Sequence, residues 1–125
     1  MVVRSPVHTP RAPAPAGAYS QAVVAGNLVF TSGFGPMDPQ TGEVPATIEE
    51  QTRQTLYNVQ AVLEAAGASL EHVVKTTVHL ADLSYWAAFD AAYREVMPAP
   101  LPARTTVGSQ LAGILVEIDA VAVLA

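Results

Sequence analysis

A chain of 125 residues is the size of one domain around one core, and with half of its residues hydrophobic it is not a disordered chain. Six basic against eleven acidic residues give a net charge of −5, and the bases, Arg4, Arg11, Arg53, Lys75, Arg94 and Arg104, are too scattered for the cationic stripe of a nucleic-acid binder. The absence of cysteine excludes disulfides, thiol nucleophiles and Cys-ligated metals, and is compatible with a reducing cytoplasm.

No apolar run approaches the ~20 residues of a membrane helix. Pro6, Pro10, Pro13 and Pro15 would break any signal peptide following Arg4, so residues 1–16 are expected to form a Pro-rich extended arm with no internal reason to be ordered. The single domain is expected over 17–125. Within it, Gln21–Val24 and Leu28–Ser32 read as two strands joined by a tight turn at Gly26-Asn27. Met37 to Gly42 is a turn cluster set by Pro39 and Gly42. Thr47 followed by Glu50 forms a capping box, and Ile48, Leu56, Val59, Val62, Leu63 and Ala66 recur at helical spacing before Gly67, which predicts a helix over 47–66.

Val73–Ala81 is β-branched and reads as a strand, with Lys75, Thr77 and His79 on one face and Val74, Thr76, Val78 and Leu80 on the other. A second helix begins near Ser84 with Trp86, Phe89, Tyr93 and Val96 as an aromatic stripe, and Pro98, Pro100 and Pro102 end it. Ala103–Val107 and Ile114–Leu124 read as the last two strands. The order ββαβαββ predicts an α+β protein with both helices on one face of the sheet. Twenty-two alanines and 17 valines against eight aromatics imply a core that needs close backbone approach. The other sheet face then calls for cover from a partner, which predicts a homo-oligomer.

Few residues carry chemical patterns. His8, His72 and His79 lie far apart with no ligand spacing for a metal, Gly33 and Gly35 lack the rest of a phosphate-loop fingerprint, and Ser32 has no triad signature. Arg104 is different: a strand arginine between Ala103 and Thr105 needs a carboxylate, from the protein or from a ligand. Glu117 and Asp119, at i and i+2, point to one face of the last strand. They supply that partner or a second catalytic group, or they simply face water at an edge. Partial burial would raise the pKa of either acid toward the range useful for proton transfer.

Tyr19-Ser20-Gln21-Ala22-Val23, Phe30-Thr31-Ser32-Gly33, Asp38 to Val44, Val74 to Val78, and Pro102-Ala103-Arg104-Thr105-Thr106-Val107 closely resemble the Rid family of reactive-intermediate imine deaminases, labelled L-PSP endoribonucleases in older usage. The resemblance runs in order from Tyr19 to the C-terminus. It implies a chorismate-mutase-like fold of the bacillus type and a homotrimer with intersubunit clefts. It also implies cofactor-independent hydrolysis of 2-aminoacrylate-type enamine and imine acids to 2-oxo acids and ammonia. On that resemblance Arg104 holds the substrate carboxylate, Glu117 positions or activates water, the Thr106 backbone orients water, Tyr19 and Ser32 line the cleft, and Trp86 forms an aromatic wall. The reading depends on the Arg104 guanidinium being free to grip an anion in a pocket shared between subunits.

Departures from the family pattern bear on the substrate. Thr106 replaces a frequent cysteine, and Asp90 replaces a frequent asparagine, which puts a negative charge beside a cleft meant for an anion. Phe34-Gly35 follows Ser32-Gly33 in place of the usual Gln-Ile, and Gly17-Ala18-Tyr19 stands for Gly-Pro-Tyr. A pathway-specific deaminase of a larger aminoacrylate-like substrate is a close variant. A non-catalytic carboxylate-binding or chaperone-like trimer would keep Arg104 without needing Glu117, and the acidic balance argues against a ribonuclease.

Overall fold

The computed structural model describes residues 3–124, so Met1 and Val2 of the arm and Ala125 of the domain lie outside it. The strands are β1 (Arg4–Val7), β2 (Ala22–Ala25), β3 (Leu28–Thr31), β4 (Val73–Leu80), β5 (Ala103–Gly108) and β6 (Val116–Val123), and the helices are α1 (Ile48–Ala65) and α2 (Trp86–Val96). They form one mixed sheet in the order β1-β2-β3-β6-β4-β5, in which β4 and β5 are parallel and the other pairings are antiparallel. The parallel pair is joined through α2, the crossover that such a pair requires. α1 packs on β6 and β3 and against α2, and α2 meets the same face through the Tyr93–Thr76 and Asp90–Arg104 contacts. This is the α+β arrangement expected from the sequence, with one strand more.

The extra strand corrects the reading of the arm. Arg4–Val7 pairs with β2, from Arg4 beside Ala25 to Val7 beside Ala22. The segment behind it is held by the buried side chain of Gln21, which accepts the Thr9 N–H at 2.7 Å and donates to the carbonyls of Thr9, Ala12 and Pro13. A proline-rich segment has few partners of its own, and here one distant glutamine supplies them.

α1 begins where Thr47 Oγ1 accepts the Glu50 N–H at 3.2 Å. It ends in a Schellman motif: Gly67 takes φ +90°, its N–H reaches Glu64 O, and the Ala68 N–H reaches Leu63 O. Its buried stripe of Leu56, Val59, Val62 and Leu63 packs toward β6, where the small buried side chains of Ala120 and Ala122 let helix and strand approach closely. α2 starts two residues later than the aromatic pattern suggests, after a 3-10 turn at Leu83–Tyr85 that Asp82 caps through the Ser84 N–H.

Faces alternate cleanly on β6: Val116, Ile118, Ala120 and Ala122 are buried, and Glu117, Asp119, Val121 and Val123 are half-exposed on the open side. On β4 the alternation slips at its start. Val74 is expected to share a face with Thr76, Val78 and Leu80, but a bulge between Val73 and Lys75 turns it outward.

Candidate functional site

Arg104 stands beside Thr76 in the β4–β5 register. Thr76 is buried beneath α2, where Thr76 Oγ1 and the Tyr93 hydroxyl share a 2.8 Å hydrogen bond, so Arg104 also points to the helix side. Its Cζ lies 4.7 Å from the Tyr93 ring centroid, 5.1 Å from Phe89 and 5.4 Å from Trp86. An edge strand thus lays a guanidinium against the aromatic stripe of α2, where cation–π attraction and low water access hold it. Burial pushes the Tyr93 phenol above its usual pKa, against the opposing pull of Thr76 and Arg104. The Arg104 side chain is 17% exposed and borders a cleft of about 350 Å³ with Trp86, Asp90, Tyr93, Arg94 and Pro102.

The guanidinium is not free, contrary to the expectation from the sequence. Arg104 Nη1 lies 2.8 Å from Asp90 Oδ1, and this is its one ion pair among the described residues. The reason is local: Asp90 sits on the same α2 face as the aromatic platform, and a strand arginine seated there meets it directly. The other Asp90 oxygen is 3.4 Å from Arg94 Nη2, one helical turn on. The question of which carboxylate partners Arg104 is therefore answered within the chain, and the partner is neither Glu117 nor Asp119.

Glu117 stands on the opposite face. It pairs with His79, and Asp119 pairs with Thr77, all on the open side of the sheet. His79 Nδ1 is 2.7 Å from Ser109 Oγ, and Lys75 Nζ donates to Thr105 Oγ1 at 2.6 Å. Burial raises the Asp119 carboxyl above its usual range, although His79 and Lys75 pull it down. Beside Glu117 runs the Ser32–Phe34 segment, tied to β6 by the Phe34–Ile118 backbone pair. Gly33 lies under the glutamate so closely that a Cβ there would sit 2.9 Å from Glu117 Cδ and closer still to Oε1.

Ser32 immediately precedes that glycine, and Tyr19 precedes the Ser20 to which Ser32 is bonded. Ser32 Oγ donates to Ser20 O at 2.5 Å, so its proton is committed and it offers a ligand only a lone pair. Tyr19 keeps its ring half-exposed, and its hydroxyl accepts the Ala16 N–H at 3.0 Å. Thr106 lies beside Val78 on the helix side, two residues beyond Arg104.

The structure thus gathers Arg104, Asp90 and Trp86 at one cleft with Thr106 on the same face, and sets Glu117 on the other face beside the Ser32-Gly33 segment. A single copy does not bring the two sets together. The sequence pattern missed Gly33 as the seat of Glu117, and it assigned Phe89 and Tyr93 only to a packing stripe. Their spacing from Trp86 was legible, but not that an arginine from another element would land on them. A larger cleft of about 470 Å³ between His72, Val74, Leu101 and Leu124 is lined by none of the expected site residues.

The sequence model of the family described as endoribonuclease L-PSP matches residues 9–124. A RutC family protein of Pyrococcus horikoshii is 47% identical over 119 residues, covering 93% of this chain and 94% of its own. A protein of Escherichia coli K12 named 2-iminobutanoate/2-iminopropanoate deaminase is 43% identical over 122 residues, with 94% and 95% covered. Among solved structures, E. coli TdcF with bound serine superposes with a TM-score of 0.92 at 38% identity, over 97% of this chain and 99% of that one.

Proposed function

The chain belongs to the endoribonuclease L-PSP family, the Rid family that its motifs resemble, and on that premise we propose that it hydrolyses 2-aminoacrylate-type enamine and imine acids to 2-oxo acids and ammonia. The family match carries the reading; Arg104, presented on three aromatic rings at the edge of a cleft, is not free as the sequence reading required, and serves it only by displacing Asp90 or through the nitrogens Asp90 leaves. A planar fork in such a place suits a small carboxylate better than lysine would. The related TdcF holds serine, a ligand with a carboxylate beside an amine.

Because Arg104 and Glu117 lie on opposite faces of one sheet, the complete site is assembled between copies, Arg104 from one and Glu117 from its neighbour in a homotrimer. The half-exposed Val121 and Val123 and the exposed Phe30 and Val107 on the open face support such a cover. In the assembled cleft Arg104 anchors the carboxylate beside Trp86 and Asp90 and fixes the imine carbon next to water, which makes the attack effectively intramolecular. Glu117 accepts a proton from the attacking water as the C–O bond forms and the C=N π pair passes to nitrogen, delivers that proton to the amine as the C–N bond breaks, and takes up the hydroxyl proton as C=O forms, passing it to the departing ammonia. The Thr106 backbone orients that water. Ser32, whose proton is committed to Ser20, accepts an N–H of the iminium, and Tyr19 closes the rim. The reaction belongs in the cytoplasm, where pyridoxal-phosphate enzymes release such enamines.

A ribonuclease reading gains no support, since Arg11, Arg53, Arg94 and Arg104 are each paired with an acid of the chain. The test generates 2-aminoacrylate with a serine dehydratase and follows pyruvate release. Wild type accelerates release, and Arg104→Ala and Glu117→Gln each lose that acceleration by on the order of 10²-fold. A wild type that binds pyruvate but accelerates nothing would instead identify a carboxylate-binding module. Activity confined to bulkier imino acids would identify the larger-substrate variant.

A further inference from the structure

The deaminase reading makes Arg104 the carboxylate anchor, yet the structure already gives Arg104 a carboxylate. Asp90 Oδ1 sits 2.8 Å from Nη1 with both side chains mostly out of water, at 17% and 20% exposure, so solvent screens the pair less than a surface ion pair. Arg94 approaches the other Asp90 oxygen at 3.4 Å and lines the same cleft, so a displaced Asp90 keeps a cation partner. An incoming carboxylate must take Nη1 from Asp90 or lie beside it as a second anion. Either way the cost falls on the carboxylate alone, and substrate and 2-oxo acid product carry the same one.

Resting on the deaminase reading, we propose that Asp90 sets the affinity of the site by competing with the ligand carboxylate for Arg104, weakening substrate and product binding in the same proportion. An interaction equal in ground state, transition state and product raises KM and the product inhibition constant together and leaves the chemical step from the bound state untouched. The device keeps the cleft from filling with its own product. It weakens every ligand that engages Arg104 through a carboxylate and leaves untouched neutral analogues that do not.

The experiment titrates pyruvate and its neutral counterpart pyruvamide into the full chain, followed by calorimetry. It compares wild type, Asp90→Asn, Asp90→Ser and Glu95→Gln; Glu95 is on the same helix and pairs with Arg53, so the last variant removes an equal charge without touching Arg104. In Asp90→Asn and Asp90→Ser the pyruvate Kd tightens by at least about fivefold, and KM for 2-aminoacrylate falls by the same factor. Pyruvamide is indifferent, and Glu95→Gln binds as wild type. Unchanged or weaker pyruvate binding in a folded Asp90 variant overturns the proposal, as does an equal gain in Glu95→Gln. Because pyruvate binding needs no turnover, a wild type without deaminase activity would defeat the functional reading and still leave the role of Asp90 decided by the titration.

Discussion

At Asp119 burial holds the carboxyl above its ordinary value of 3.8, against the pull of His79 and Lys75, the two basic side chains of β4 on the same face. A raised acid pKa means that the folded chain keeps a proton which the unfolded chain has released. Stability therefore falls as pH rises from 3.8 through the folded value, and stays lower above it. Asp119→Asn removes that loss: its Tm lies above wild type near neutrality, and the gap closes toward pH 3 in thermal unfolding series. A gap independent of pH would show that something other than ionisation separates the two proteins. Among the candidate residues, the sequence pattern alone singled out Arg104, as a strand arginine in need of a carboxylate, and Glu117 with Asp119, as acids on an otherwise apolar strand. It could not show that Asp90, 14 residues before Arg104 and on another element, would hold the guanidinium.

α1 carries two patterns at once. Its apolar stripe packs on β6, while Gln51 and Asn58, both buried, face the loops that lead to the site. Asn58 Nδ2 donates to Gly35 O at 3.0 Å and Met37 O at 2.9 Å, just beyond Ser32-Gly33. Gln51 Oε1 accepts the Leu115 N–H at 2.8 Å, two residues before Glu117, and its Nε2 holds Pro45 O. One helix thus fixes both segments that meet at Glu117. Asn58→Ala leaves two carbonyls without their donor and lowers the unfolding free energy by about 2 to 3 kcal/mol in denaturant titrations; a loss under about 0.5 kcal/mol would mean that water replaces the amide at no cost. The helix and its caps were legible because Thr47 and Gly67 act locally, although of the expected capping box only the Thr47 half forms, accepting the Glu50 N–H. The polar seam was not, since Gln and Asn are ordinary helix-surface residues until a loop folds over them.

For the whole molecule, the open sheet face is the unfinished surface. Phe30 is 44% exposed on it, across from Val121 in the β3–β6 register, and Glu117 and Asp119 lie further along β6. Apolar side chains in such a place favour cover by another copy. Wild type is expected to sediment at about three times the 13.1 kDa of one chain, and Phe30→Glu at the mass of a single chain, with helical content retained and deaminase activity lost. A wild type that sediments as one chain while remaining active would rule out a site shared between copies.

By itself the sequence determined what depends on neighbours along the chain: the limits of α1, the Schellman stop at Gly67, the alternation of β6, and the motif residues that mark the family. Tertiary structure alone decided what depends on contacts between distant segments. Gln21 orders the arm that carries β1, a bulge turns Val74 outward, α2 supplies Asp90 to Arg104, and the sheet separates Arg104 from Glu117. The physical reason is that periodicity assigns a side chain to a face of its own element, whereas its partner is set by which other element packs there.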